Sequence, residues 1–288
     1  MYHLENESPA RNPIRILAAL DQGYVPQLCV MLTSIYLNNP GEPFELYLLH
    51  SHLPETCRSQ IQQCCRGFGY GFYPIRVEKE LFQDAPASSR YPKEMYYRLM
   101  APQLLPGEVE RVLYLDPDIL VINPLRPLWE LDLDGHLFAA AAHTGKTDLA
   151  NNVNRIRLKT DHDYYNSGVL LMDLERGRRE IVPRELFQYV AEHENELLLP
   201  DQDVLNGLYG DRVFALEDAL WNYDARNYNN YLLRSSGVYD IGWVMEHTAI
   251  LHFCGKAKPW KPAYFYRFGL LYRHYMQLSR RLCQGAEW

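Results

Sequence analysis

Asp116 and Asp118 flank Pro117 directly after an apolar run, Val112, Leu113, Tyr114 and Leu115. A run of that kind is what a buried parallel strand needs. If the strand carries on through the pair, residues i and i+2 face one side and both carboxylates point the same way. Pro117 holds Asp116 extended and donates no hydrogen bond. Two acids at the end of a buried strand are costly unless a cation neutralises them, so the run predicts a divalent metal site. The carboxyl edge of an α/β sheet is where such folds place their ligands. An ordinary Asp-Pro-Asp turn is the alternative, and these residues alone leave it open.

Three further polar groups stand at the ends of apolar runs. Ala19, Leu20, Asp21, Gln22, Gly23 and Tyr24 follow the first run. Asp21 there reads either as a helix N-cap or as an acceptor for a ribose or base, with Tyr24 stacking on a planar ring. Asn166, Ser167 and Gly168 open another run, where the glycine reads as a bulge or as room for close backbone approach to a ligand. His252 ends a later run and leads into Gly255, Lys256 and Lys258. It could be a satisfied half-buried histidine, or it could complete a metal site with the two aspartates. Oxygen ligands plus one imidazole suit Mn²⁺ better than Ca²⁺, and Mg²⁺ stays open. The glycine and lysines suit a diphosphate, by backbone approach and point charge.

The elements that must position these groups alternate. Strands are expected at Ile14–Leu20, Phe44–Leu49 and Phe72–Val77, with helices over Val25–Tyr36 and Pro54–Arg66 between them. That alternation predicts an α/β fold with a parallel, right-handedly wound sheet. A loop at Asp84–Pro92, a helix around Lys93–Leu104 and a short strand near Leu137–Ala142 follow. His143–Tyr165 reads as a long loop or irregular helical insertion. Val169–Leu174 and Ala249–Phe253 read as strands, and Pro183–His193 and Asp203–Tyr209 as helices. No repeat or linker interrupts the chain, so a single domain is expected.

The net charge of -7 carries no nucleic-acid footprint, and the 47% hydrophobic content supports a full core. No signal peptide and no transmembrane helix are expected. Six cysteines, at 29, 57, 64, 65, 254 and 283, lack zinc-ligand spacing, and reduced thiols in a cytoplasmic protein are expected. From Gly255 onward seven Lys or Arg face one Glu, interleaved with Tyr264, Phe265, Tyr266, Phe268, Tyr272 and Tyr275. This is an amphipathic C-terminal helix. It either packs on the domain with a solvated basic face or makes peripheral contact with an anionic membrane surface.

Four segments in order, LYLDPDIL, YYNSGVLLMDL, PDQDVLNGL and LHFCGKAKPW, resemble the family 8 retaining glycosyltransferases. That family includes bacterial lipooligosaccharide galactosyl- and glucosyltransferases and the glycogenins. The resemblance runs from about Ile14 to Trp260. It implies a glycosyltransferase A fold, with a Rossmann-like, mixed but mostly parallel sheet flanked by helices. It also implies a UDP-sugar donor, a glycan or glycolipid acceptor, and Mn²⁺. Carried onto matching positions, Asp116, Asp118 and His252 would bind the metal, and Gly255 and Lys258 the diphosphate. Ala19, Asp21 and Tyr24 would hold uracil and ribose. Arg98, Asn166, Ser167 and Asp201 would grip the donor sugar, with Gln202 near the anomeric carbon. The catalytic domain would span 1–262, with a nucleotide-sugar half over about 14–120 and an acceptor half over about 121–262, followed by the basic helix at 263–288.

The chain departs from the family pattern at two places. Gly23 stands where members often carry a ribose-binding Asn. His143 stands near where the galactosyltransferase branch has an acceptor-binding Asp, which puts a lactose-like acceptor in question. Nothing in the sequence separates galactose from glucose in the donor or sets the oligomeric state. A non-catalytic nucleotide-sugar or carbohydrate binder of the same fold is the alternative reading.

Overall fold

The computed structural model describes residues 11–78, 96–142, 148–194 and 196–283. β1 (Ile14–Ala19), α1 (Val25–Asn38), β2 (Phe44–His50), α2 (Glu55–Phe68) and β3 (Gly71–Arg76) alternate as the apolar periodicity requires. α2 stops where Gly69 adopts φ +73° and its N–H closes on the carbonyls of Arg66 and Cys65. α3 (Ala101–Leu104) leads into β4 (Arg111–Leu115), and β5 (Ile119–Val121), α4 (Arg126–Trp129) and β6 (Phe138–Ala141) follow. The next elements are α5 (Asp148–Leu158), β7 (Val169–Asp173), α6 (Leu174–Glu180), α7 (Pro183–Glu192) and α8 (Pro200–Tyr209). β8 (Val213–Leu216), α9 (Asp218–Trp221), β9 (Tyr223–Asp224), α10 (Tyr228–Arg234), α11 (Ile241–His247), β10 (Ile250–His252) and α12 (Gly269–Leu282) complete the described chain.

Among the described residues the strands form two sheets. The larger has seven strands in the order β3-β2-β1-β4-β7-β6-β8. β7 runs antiparallel to both its neighbours, and the remaining pairings are parallel. Both faces are covered by apolar clusters, one containing residues of α1 and α2, the other residues of α7 and α8. That two-sided burial is why β4 and β7 read as unbroken apolar runs rather than alternating ones. The chain winds outward from β1 to β3 and returns to place β4 on the other side of β1, which opens a crevice at the carboxyl ends of β1 and β4. β5 leaves this sheet and joins the smaller one, in the order β5-β10-β9.

Several expectations change. β4 ends at Leu115, and Asp116–Asp118 form a turn between β4 and β5. Strand alternation therefore does not aim the two carboxylates; the change of sheet does. Of the helix expected over Lys93–Leu104 only Ala101–Leu104 is regular within the described residues, which also exclude the loop Asp84–Pro92 and His143. The 143–165 stretch holds a real helix, α5, whose polar sequence hid its periodicity. The C-terminal helix begins at Gly269 and packs against α1, burying Tyr272 and Tyr275. The thiols are not all reduced: Cys64 of α2 and Cys283 form a disulfide, with Cα atoms 4.8 Å apart. Adjacent Cys64 and Cys65 gave no local sign of it, because the partner lies 219 residues away.

Candidate active site

Strand register brings the metal-ligating candidates together. β10 pairs antiparallel with β5, setting His252 opposite Ile119, and the Phe253 N–H donates to the Asp118 carbonyl over 3.0 Å. The Asp116 N–H donates to the Gly168 carbonyl over 2.9 Å, which ties the same turn to the start of β7. The result is a cluster of Asp116, Asp118 and His252 whose ligating atoms all lie within 4.8 Å of one another. His252 Nε2 is 3.3 Å from Asp118 Oδ1 and 3.8 Å from Asp116 Oδ2.

Gly168 makes this closeness sterically feasible. A Cβ there would lie 2.7 Å from Asp116 Oδ2 and closer still to His252 Cε1. The missing Cβ thus leaves room for the Asp116 and His252 side chains, two of the three candidate ligands, to pack against the backbone at 168.

The imidazole is oriented by a residue that the sequence did not single out. His252 Nδ1 lies 2.9 Å from Asn222 Oδ1, while Asn222 Nδ2 donates to Asn166 Oδ1 over 2.9 Å. Asn166 Oδ1 also accepts the Gly168 N–H, so it cannot be the amide nitrogen. The Asn222 oxygen therefore faces the ring and accepts the Nδ1 proton, which aims Nε2 at the aspartates, where it donates to Asp118 while protonated and can ligate a cation once that proton leaves. Asn166 Nδ2 then donates to Gln202 Oε1 over 3.0 Å, which continues the chain of amides to α8. Nothing near Asn222 in the sequence marks it, since its partners come from β7 and β10.

Arg98 anchors the other flank. Its guanidinium is mostly buried and reaches Asp116 at 3.1 Å, Asp201 at 3.2 Å and the Ser167 carbonyl at 3.0 Å. It also lies 4.5 Å over the Tyr114 ring, whose hydroxyl donates to Asp116 over 2.7 Å. Tyr114 was legible only as part of an apolar run, although it sits two residues before Asp116. Ser167 Oγ donates to Asp201 Oδ2 over 2.9 Å. Arg98 thus bridges two carboxylates and offsets one of their two charges, and its Nε is buried without a hydrogen-bond partner. Removing one member of a buried ion network costs about 3–5 kcal/mol, because a charge is left unpaired. This arrangement is a rigid support first, with Nε left as a donor.

Asp118 is buried and bonds the Lys258 ammonium, which also donates to the Phe253 carbonyl over 3.0 Å. Burial alone would raise the Asp118 pKa, but His252 and Lys258 outweigh it and hold the carboxyl well below its usual range. Asp118 is therefore ionised at any ordinary pH. Gly255 turns the intervening loop at φ +79°, against the Arg226 guanidinium. At the neighbouring end of β1, Asp21 Oδ1 accepts the Gly23 N–H over 2.7 Å and caps the short turn Gln22–Tyr24. The cap role is thus real, whatever the second carboxylate oxygen does. Tyr24 is 37% exposed and meets Trp260 edge-on at 6.1 Å, so the β1 end and the Lys258 loop share one wall. Ala19 is half-buried at the end of β1.

The donor set of two carboxylates and an imidazole Nε2, with a cation already paired to Asp118, fits an octahedral ion such as Mn²⁺ or Mg²⁺. The profile of Glycosyl transferase family 8 matches residues 15–263. The chain belongs to glycosyl transferase family 8. It is a glycosyltransferase. It is 28% identical over 275 residues to General stress protein A of Bacillus subtilis, covering 93% of this chain and 94% of the relative. It is 25% identical over 256 residues to a lipopolysaccharide 1,2-glucosyltransferase of Escherichia coli, covering 86% and 72%. Its fold superposes on galactosyltransferase LgtC, solved with donor and acceptor sugar analogs, with a TM-score of 0.76, 23% identity and coverage of 92% and 96%. The sheet of this glycosyltransferase is the glycosyltransferase A fold expected from its four motifs.

Proposed function

We propose that the chain transfers a hexose, galactose or glucose, from a UDP-sugar to a hydroxyl of a glycan or glycolipid, with retention of anomeric configuration. The observation that carries this is the convergence of Asp116, Asp118 and His252 at the crevice between β1 and β4. A divalent cation held there, Mn²⁺ by preference, would neutralise charge on the leaving diphosphate. Lys258 would turn its ammonium from Asp118 toward the same diphosphate, beside the backbone of Gly255. Ala19, Asp21 and Tyr24 would seat the nucleoside. Asn166, Ser167, Asp201 and the Arg98 Nε–H would orient the sugar, and Gln202 would lie beside the anomeric carbon.

Asp201 is a poor candidate nucleophile. Its Oδ2 accepts from Ser167 Oγ at 2.9 Å and faces Arg98 Nη1 at 3.2 Å, and both contacts draw carboxylate charge toward Oδ2 and hold the group in a structural ion pair. Gln202 Oε1 is weakly basic and already accepts from Asn166. Front-face attack follows, with the departing phosphate oxygen taking the acceptor proton and the Gln202 amide dipole facing the developing oxocarbenium. A covalent sugar adduct trapped on Asp201 would replace this with double displacement.

Relatives named for lipopolysaccharide glucosyl and galactosyl transfer support a bacterial cell-envelope glycan as acceptor. No helix among the described residues is long and apolar enough to cross a membrane. The basic C-terminal region would make peripheral contact with an anionic membrane surface, and liposome binding that ignores anionic lipid would remove this role. The deciding experiment incubates the protein with Mn²⁺ and a panel of UDP-sugars and follows UDP release and UDP binding, with Asp118→Asn as control. Metal-dependent release from one sugar is expected, absent in the variant. UDP binding without turnover on any tested acceptor would favour the non-catalytic binder, and no UDP binding would defeat both.

A further inference from the structure

Arg226, whose guanidinium packs against the Gly255 turn, is one wall of a groove of about 430 Å³ lined also by Ala225, Tyr228, Phe265, Tyr266 and Arg267. The groove begins one bond from the active site: the Ala225 N–H donates to the His252 carbonyl over 2.9 Å. Two features make it unlike an ordinary surface hollow. Phe265 is 80% exposed and stacks on Tyr266 with ring centroids 4.4 Å apart, forming an aromatic platform in water. Exposed aromatic faces of this kind suit the apolar face of a pyranose. The second feature is charge. Arg226 is bonded through Nε and Nη2 to Asp224 at 2.9 and 2.7 Å, so it is neutralised. Arg267 is exposed, lies 4.2 Å over the Tyr228 ring and pairs with no carboxylate among the described residues. A guanidinium pre-oriented on an aromatic face and left without a counter-ion favours an anionic partner.

From this juxtaposition we propose that the acceptor is an anionic glycan, a sugar carrying a phosphate or carboxylate, whose charged group meets Arg267 while its ring rests on Phe265. This rests on the transferase reading and names its acceptor class. The test titrates methyl glucoside, glucose 6-phosphate, glucuronate and inorganic phosphate into the full-length protein saturated with Mg²⁺ and UDP, followed by NMR line shifts at fixed ionic strength. A charge-assisted hydrogen bond predicts about tenfold tighter binding of the two anionic sugars than of methyl glucoside. That advantage should vanish in Arg267→Gln and largely return in Arg267→Lys. Arg267 is exposed, and an unchanged melting temperature verifies that each variant is folded. Equal affinity for neutral and anionic sugars, or an advantage that survives Arg267→Gln, would overturn the proposal and leave the transferase reading standing. Inorganic phosphate binding as tightly as glucose 6-phosphate would overturn it in favour of a bare anion site. Arg267-dependent binding to phosphatidylglycerol vesicles without sugar discrimination would overturn it in favour of a lipid headgroup. Absence of UDP binding would sink the transferase reading and this inference with it.

Discussion

Replacing Gly168 by alanine tests the proposed metal centre without touching a ligand. The added Cβ would sit 2.7 Å from Asp116 Oδ2 and nearer still to His252 Cε1, whereas ordinary contact begins near 3.4 Å. The backbone at 168 is not in the left-handed region, so the effect is steric alone. Neither neighbour can yield freely. Asp116 is held by Tyr114 and Arg98, and His252 by Asn222. Relief therefore requires a displacement on the order of 1 Å in groups packed at crystal-like density. Overpacking of this kind costs about 1–3 kcal/mol of stability, and disturbed ligand orientation costs about 10–100-fold in metal affinity. At about 2–4 °C per kcal/mol for a chain somewhat shorter than this one, the melting temperature should fall by roughly 2–12 °C. Calorimetric titration of Mn²⁺ into the protein with UDP present reads the affinity, and thermal unfolding reads the stability. Wild-type Mn²⁺ affinity in a folded Gly168→Ala variant would refute the assignment of Asp116 and His252 as joint ligands. If stability fell in that same case, Gly168 would be left with a packing role only.

Four more outcomes are expected. Asn222→Ala should weaken Mn²⁺ binding by about 10–100-fold while the fold persists, because Nδ1 of His252 loses the acceptor that sets its tautomer; titration of Mn²⁺ checks it. Lys258→Ala should weaken UDP binding about tenfold yet leave Mn²⁺ affinity in the absence of UDP no weaker, since the lysine competes for Asp118; weakening of both to the same degree would contradict the diphosphate role. Asp203→Asn should cost about 3–5 kcal/mol in urea unfolding, as the fully buried Asp203 holds Arg157, the Tyr164 hydroxyl and the Leu198 and Leu199 N–H groups at the start of α8. Glu42 bonds Arg126 and Arg11, and its pKa is lowered first by the Arg126 hydrogen bond. Its contribution is therefore complete above the ordinary glutamate range and is lost as pH falls through the lowered native value. Glu42→Gln should thus be less stable than wild type at pH ~7 and equal to it in strong acid, as read by denaturant midpoints.

The sequence by itself determined what is local. The β1-α1-β2-α2-β3 alternation, the buried β4 and β7 runs and the motifs around Asp116, Asn166, Asp201 and His252 are set by apolar period and by neighbours a few residues apart. Those features survive in any window of the chain, so they are legible without coordinates. Tertiary structure decided what depends on pairing across long separations. Lys258 meets Asp118 across 140 residues, and His252 reaches the aspartates only because β5 leaves the main sheet to pair with β10. Asn222 became a site residue, and Arg98 the bridge between two carboxylates, through contacts that no local pattern encodes, whereas Tyr114 reaches Asp116 only two residues on and was masked by its apolar setting. The same holds for the Cys64–Cys283 disulfide and for the aromatic groove beside Gly255. The physical reason is register. Once a strand changes sheets, every side chain beyond it acquires partners set by hydrogen bonds to a distant segment, and a linear pattern carries no record of that choice.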